Sequence, residues 1–95
     1  MNRMEHDYIL ILVSIDDLSR ENRVRIVKAL RRHLRLDLHT SLQIMETLDQ
    51  LPGVVRTGYG PITWQESERK LRPLMEEFSS YGVVTKMNFD DGSQD

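Results

Sequence analysis

The apolar positions of this chain change period several times, and each change marks an element. Tyr8-Ile9-Leu10-Ile11-Leu12-Val13 is apolar without interruption. A run that short and that apolar predicts a strand buried on both faces, central in its sheet. Asp16-Asp17-Leu18-Ser19 breaks it and offers side-chain oxygens to cap a helix. From Arg20 to Leu34 the period becomes helical, with Ile26, Val27, Leu30 and Leu34 filling roughly 100° of one side. Leu36-Asp37-Leu38 is a tight joint, because the apolar phase restarts there. Leu38, Leu42, Met45, Leu48 and Leu51 then recur at spacings of 4, 3, 3 and 3, the stripe of a second amphipathic helix. Pro52-Gly53 ends it.

Val54-Val55-Arg56-Thr57 reads as a short strand, and Gly58-Tyr59-Gly60-Pro61 as a loop. Thr63 with Glu66 three residues on forms a capping box that opens a third helix. Its core face is Leu71, Leu74, Met75 and Phe78, and it stops near Tyr81-Gly82, where glycine suits a left-handed end. Pro73 inside it predicts a kink or a local break. Val83 to Phe89 alternates apolar and polar residues, as an edge or one-sided strand does. The predicted order is β-α-α-β-α-β. This is an α+β domain over residues 8–89, with three helices packed on one face of a small sheet. Residues 1–7 are expected to be a flexible N-terminus, and residues 90–95 a disordered acidic tail.

Charge changes this picture. Arg20, Arg23, Arg25, Lys28, Arg31, Arg32 and Arg35 supply seven of the thirteen Lys and Arg residues, opposed locally only by Glu21, in a chain of net charge −2. The rest of the molecule is therefore acidic on balance. Arg25, Lys28, Arg31, Arg32 and Arg35 fall within roughly 120° of the first helix, opposite its apolar side. A basic face is ordinarily a solvated one, but solvated faces usually mix signs. Like charges at Lys28/Arg32 and Arg31/Arg35 cost a few tenths of a kcal/mol per pair. A chain that keeps them is expected to meet an anionic partner, either an acidic protein surface or a nucleic acid. Planar guanidinium forks suit carboxylate and phosphate equally, so Arg content does not decide between the two.

The remaining chemistry is sparse. The chain has no cysteine, which excludes disulfides, thiol catalysis and thiolate metal sites. Its three histidines, His6, His33 and His39, share no metal-ligand spacing. Gly58 to Pro61 lacks the pattern of a phosphate loop. Tyr59 and Trp64 flank that loop as a possible partner anchor, although a Trp at a helix start more often closes a core. No catalytic constellation is readable, and no cofactor, metal, small-molecule substrate or membrane partner is expected. A non-enzymatic, cytoplasmic interaction domain is the expectation.

Asn22 to Glu46, NRVRIVKALRRHLRLDLHTSLQIME, resembles one known family. It is similar to the helix–turn–helix of the C-terminal domain of the bacterial ribosomal stalk protein, the seven/twelve protein of the large subunit. Asn22, Val24, Lys28, Arg31, Leu36, Leu38 and Glu46 line up with that motif without a gap, and the resemblance runs from about Tyr8 to Phe89. It implies that Arg23, Lys28 and Arg31 contact acidic helices of translational GTPases. The family's joint glycines are here Arg35 and Asp37, and its second-helix Lys contact is Leu42. The stretch from Thr47 to Ile62 is longer than the family's, and the family's dimerisation domain and hinge have no counterpart in the motif. The same fold is similar to that of the Clp-protease adaptor, ClpS. There, acids after the first strand and a histidine on the second helix hold a free peptide amine. Asp16 and Asp17 supply the acids here, while His39 lies at the start of the second helix rather than near its end.

Overall fold

Three antiparallel strands and three helices build the domain, an α+β fold seen in a computed structural model that describes residues 5–90. The sheet has the order β3-β2-β5, with β2 (Tyr8–Ile15) between β3 (Gly53–Arg56) and β5 (Val83–Phe89). A two-residue pair, β1 (Glu5–His6) with β4 (Ile62–Thr63), sits apart from it. The helices are α1 (Arg20–Leu34), α2 (Leu38–Thr47) and α3 (Trp64–Ser80), and a 3-10 turn at Leu48–Gln50 follows α2.

The uninterrupted apolar run became the central strand, as its composition requires. Leu10 and Leu12 point to one face and meet α1 and α3 residues such as Ile26, Leu30, Leu71, Leu74 and Phe78, all fully buried, while Tyr8 is buried against the rings of Trp64 and Phe89. The opposite face is less covered than a doubly buried strand predicts: Ile9 is buried, Ile11 partly so, and Val13 exposed. Arg56 lies opposite Ile9 in the β2–β3 register and pairs with Asp90 at 2.5 Å, a polar strap on that face. An irregularity in the β2–β5 pairing falls between Leu12 and Ser14, so Val13 is the extra residue. It resets the alternation and lets Ile15, paired with Val83, join the helix-side core.

Helix boundaries follow their caps. Ser19 Oγ accepts the Asn22 N–H at 3.2 Å to open α1. Both halves of the Thr63/Glu66 box are formed, at 3.2 Å and 3.0 Å. Asn22 is buried because its side-chain amide donates to the Asp17 carbonyl at 2.8 Å and to the Tyr81 carbonyl at 2.9 Å, tying the end of α3 to the start of α1. Helix α3 runs unbroken through Pro73. The carbonyl left without an N–H belongs to Arg69, which is exposed along with Pro73, so water can satisfy it.

One expectation needs correction, and two others fall largely outside the described residues. The buried face of α2 is Ser41 and Ile44, continued by Leu48, whereas Leu38 and Leu42 are 51% and 40% exposed. Both stripes have helical spacing; the one carrying a small Ser won, and its hydroxyl is satisfied by the Asp37 carbonyl at 2.9 Å. Of the N-terminal stretch, Glu5 pairs with Thr63 and His6 with Ile62; residues 1–4 lie outside the described residues. Asp90, assigned to the tail, is held by Arg56 and by its own N–H to the Asp7 carbonyl at 2.8 Å, and the rest of the tail lies outside the described residues.

Candidate functional site

Helix α1 presents its cations as its phase requires. Ile26, Ala29 and Leu30 are fully buried, and Arg25, Lys28, Arg31, Arg32 and Arg35 are all exposed on the other side. The end of the helix is set by Arg35 itself, in a left-handed conformation at φ 56° and ψ 34°. That is the conformation a glycine adopts at least cost.

The stripe is not uniform. Arg23 is half-withdrawn: its guanidinium meets Asp49 at 2.6 Å, and its Nε donates to the Leu18 carbonyl at 2.8 Å. Arg25 reaches Glu21 only loosely, at 3.7 Å. Arg32 is gripped by Glu77 of α3, with Nη1 at 2.9 Å and Nη2 at 3.1 Å from the two carboxylate oxygens. Glu77 also accepts from the Tyr81 hydroxyl at 2.5 Å and lies 2.8 Å from His33 Nε2. These bonds, Tyr81's first, then those of His33 and Arg32, hold the Glu77 carboxyl at about 2, below its usual 4.5, and the same bond pushes the Tyr81 phenol up. Lys28, Arg31 and Arg35 have no ion-pair partner among the described residues. With Arg32 and Leu36 they line one shallow, open depression. Arg20, Arg25 and Lys28 line another beside it, together with exposed Val24 and Glu21.

The helical stripe of Arg25, Lys28, Arg31, Arg32 and Arg35, with Arg23 added by the stalk-domain resemblance, makes six candidate contacts. The structure divides them. Arg23 and Arg32 clamp α1 to the turn after α2 and to α3, and the others face solvent. Asp49 and Glu77 were missed because no local spacing announces a contact across 26 or 45 residues. Val24 was legible in principle, since it lies four residues from both Arg20 and Lys28.

The aromatic candidates do not form a pair. Trp64 packs edge-on against Tyr8 and tilted against Phe89, with centroids at 5.8 Å and 5.3 Å, closing one end of the core while staying 42% exposed. Tyr59 rests on the core under Lys70, whose ammonium is 5.4 Å from the ring. Asp16 and Asp17 are turn residues: Asp17 Oδ1 accepts the Ser19 N–H at 2.9 Å, and the Asp16 N–H donates to the Gly82 carbonyl at 3.1 Å. The depression they line includes Asn22, Arg25 and Tyr81, and His39 is not among its lining residues.

Among the described residues, no three histidine, aspartate or glutamate side chains gather as a metal ion requires, and no helix is long and apolar enough to cross a membrane. Fold and site together define a small α+β domain with one cationic helix face. No protein-family model matches the chain, and no curated protein matches it in sequence.

Proposed function

We propose that this domain is a non-enzymatic interaction module that docks through the exposed face of α1 on an acidic surface of a larger protein. The observation that carries the reading is the contrast within one helix. Arg23 and Arg32 are neutralised at home, whereas Lys28, Arg31 and Arg35 line one depression with no ion-pair partner among the described residues, Asp37 acting on Arg31 only from a distance. Exposed Val24 on the same helix, and Leu38 and Leu42 on the next, supply apolar surface that a protein partner covers and a phosphate backbone does not. That difference favours protein over nucleic acid. The resemblance of Asn22 to Glu46 to the ribosomal stalk domain makes translational machinery in the cytoplasm the first place to look for the partner.

The test is a titration with a blocked amphipathic helical peptide bearing one glutamate-rich face, followed by fluorescence anisotropy at low and moderate salt. The wild-type domain should bind, and Lys28→Glu/Arg31→Glu should lose at least about tenfold in affinity. Equal binding by both proteins refutes the docking face. Binding of single-stranded RNA in preference to the peptide, with a steep salt slope, transfers the face to nucleic acid.

A further inference from the structure

Strand β5 closes one side of the sheet, and its outer edge carries main-chain groups that no strand among the described residues takes up. The pairing identifies them. The Asp90 N–H donates to the Asp7 carbonyl, which makes these two a hydrogen-bonded pair of the antiparallel ladder. Alternating from there, Asn88 with Ile9 and Lys86 with Ile11 are the next such pairs. Thr85, Met87 and Phe89 therefore turn their N–H and C=O groups outward. Asn88 Oδ1 accepts the Phe89 N–H at 2.8 Å, so that position is already satisfied. The main-chain groups of Thr85 and Met87 have no hydrogen-bond partner among the described residues.

Beside this edge lies a groove of about 400 Å³ between β5 and α3, with Met75, Val83 and Thr85 in its wall and Glu68, Arg72 and Glu76 at its rim. Arg72 is matched by Glu68 at 3.7 Å, which leaves Glu76 exposed and without an ion-pair partner among the described residues. The groove is thus apolar inside and net negative at its lip. It flanks α3 on the side away from the Glu77–Arg32 contact, and its sign is opposite to that of the α1 face.

We propose that this edge and groove form a second binding site, taking an extended polypeptide segment of a partner by strand addition to β5. Main-chain bonds to Thr85 and Met87 hold the segment. Its groove-side residues carry Lys or Arg, whose stems lie on Met75 and whose charges reach Glu76. A second copy of this chain fits poorly. Two β5 edges centred between Thr85 and Met87 set Lys86 against Lys86, and two net-negative rims face each other.

The probe is a peptide of alternating valine and lysine, N-acetylated and C-amidated, titrated into ¹⁵N-labelled protein. The expected result is downfield movement and exchange protection of the Thr85 and Met87 amides. Affinity should fall at least about tenfold for Glu68→Lys/Glu76→Lys and for a valine–glutamate peptide. Thr85→Pro removes one outward N–H without touching the β2 ladder and should weaken binding similarly, with the fold verified by the dispersion of the remaining amides. The proposal is overturned by unmoved Thr85 and Met87 amides, by binding insensitive to the Glu→Lys pair, or by concentration-dependent self-association through β5 in place of peptide binding.

Discussion

Replacing Glu77 with Gln tests how the basic face is partitioned. The substitution keeps the shape of the side chain and removes its charge, so Arg32 loses a bidentate partner, and Tyr81 and His33 lose a charged acceptor. Wild-type Glu77 titrates at about 2 in the fold against 4.5 in a free chain, a difference worth at most about 3 kcal/mol. Arg32 is 58% exposed, and solvent screening reduces the net loss to roughly 1–2 kcal/mol. For a domain of this size that lowers Tm by about 5–15 °C at neutral pH. The sign with pH follows from the depressed carboxyl. Its contribution is fully present above about 4.5 and is lost as pH falls through about 2, where protonated Glu77 and Gln become equivalent. Thermal unfolding of both proteins by circular dichroism between pH 7 and pH 2 should show a gap that closes across that window. The same variant frees Arg32, so affinity for an acidic peptide should rise while stability falls. A gap that persists unchanged at pH 2, or no gap at pH 7, refutes the reasoning.

Three further outcomes are expected. Arg35→Gly relieves a left-handed side-chain residue at φ 56° and should stabilise the fold by about 0.5–1 kcal/mol in urea denaturation; a loss of stability would mean that the Arg35 side chain supports the fold. Tyr8→Phe deletes a buried hydroxyl with no hydrogen-bond partner among the described residues, so stability should be unchanged or up to about 1 kcal/mol higher, where an ordinary buried Tyr loses. Gly82→Ala should cost about 1–3 kcal/mol, because φ is 79° and a Cβ there would lie 1.9 Å from Asp16 Oδ1; an unchanged denaturation midpoint contradicts the turn geometry.

Much of the fold was legible because its long elements repeat a period. The apolar run from Tyr8 reads as an interior strand, and α1 has both a capping Ser19 and a two-sided pattern, so its approximate extent was readable. The pair Glu5–His6 with Ile62–Thr63 was not, since two residues carry no period. Helix α2 offered two stripes of helical spacing, and only packing against α1 chooses Ser41 and Ile44 over Leu38 and Leu42. The cationic face was legible as a pattern, but its division was not. Asp49 and Glu77 meet Arg23 and Arg32 through tertiary folding alone, and such contacts decide which charges remain for a partner. The alternation of Val83 to Phe89 marked β5 as an edge or one-sided strand, but the groove beside it was not legible, because its wall is built from α3 and β5 residues that only tertiary folding brings together.

Affinity capture from nuclease-treated native lysate, comparing wild type with Lys28→Glu/Arg31→Glu, tests the docking claim most directly. A protein partner retained by wild type after nuclease and lost by the reversed variant, with both proteins folded, is the predicted result. The same proteins held equally by both, or a partner lost on nuclease treatment alone, would contradict it.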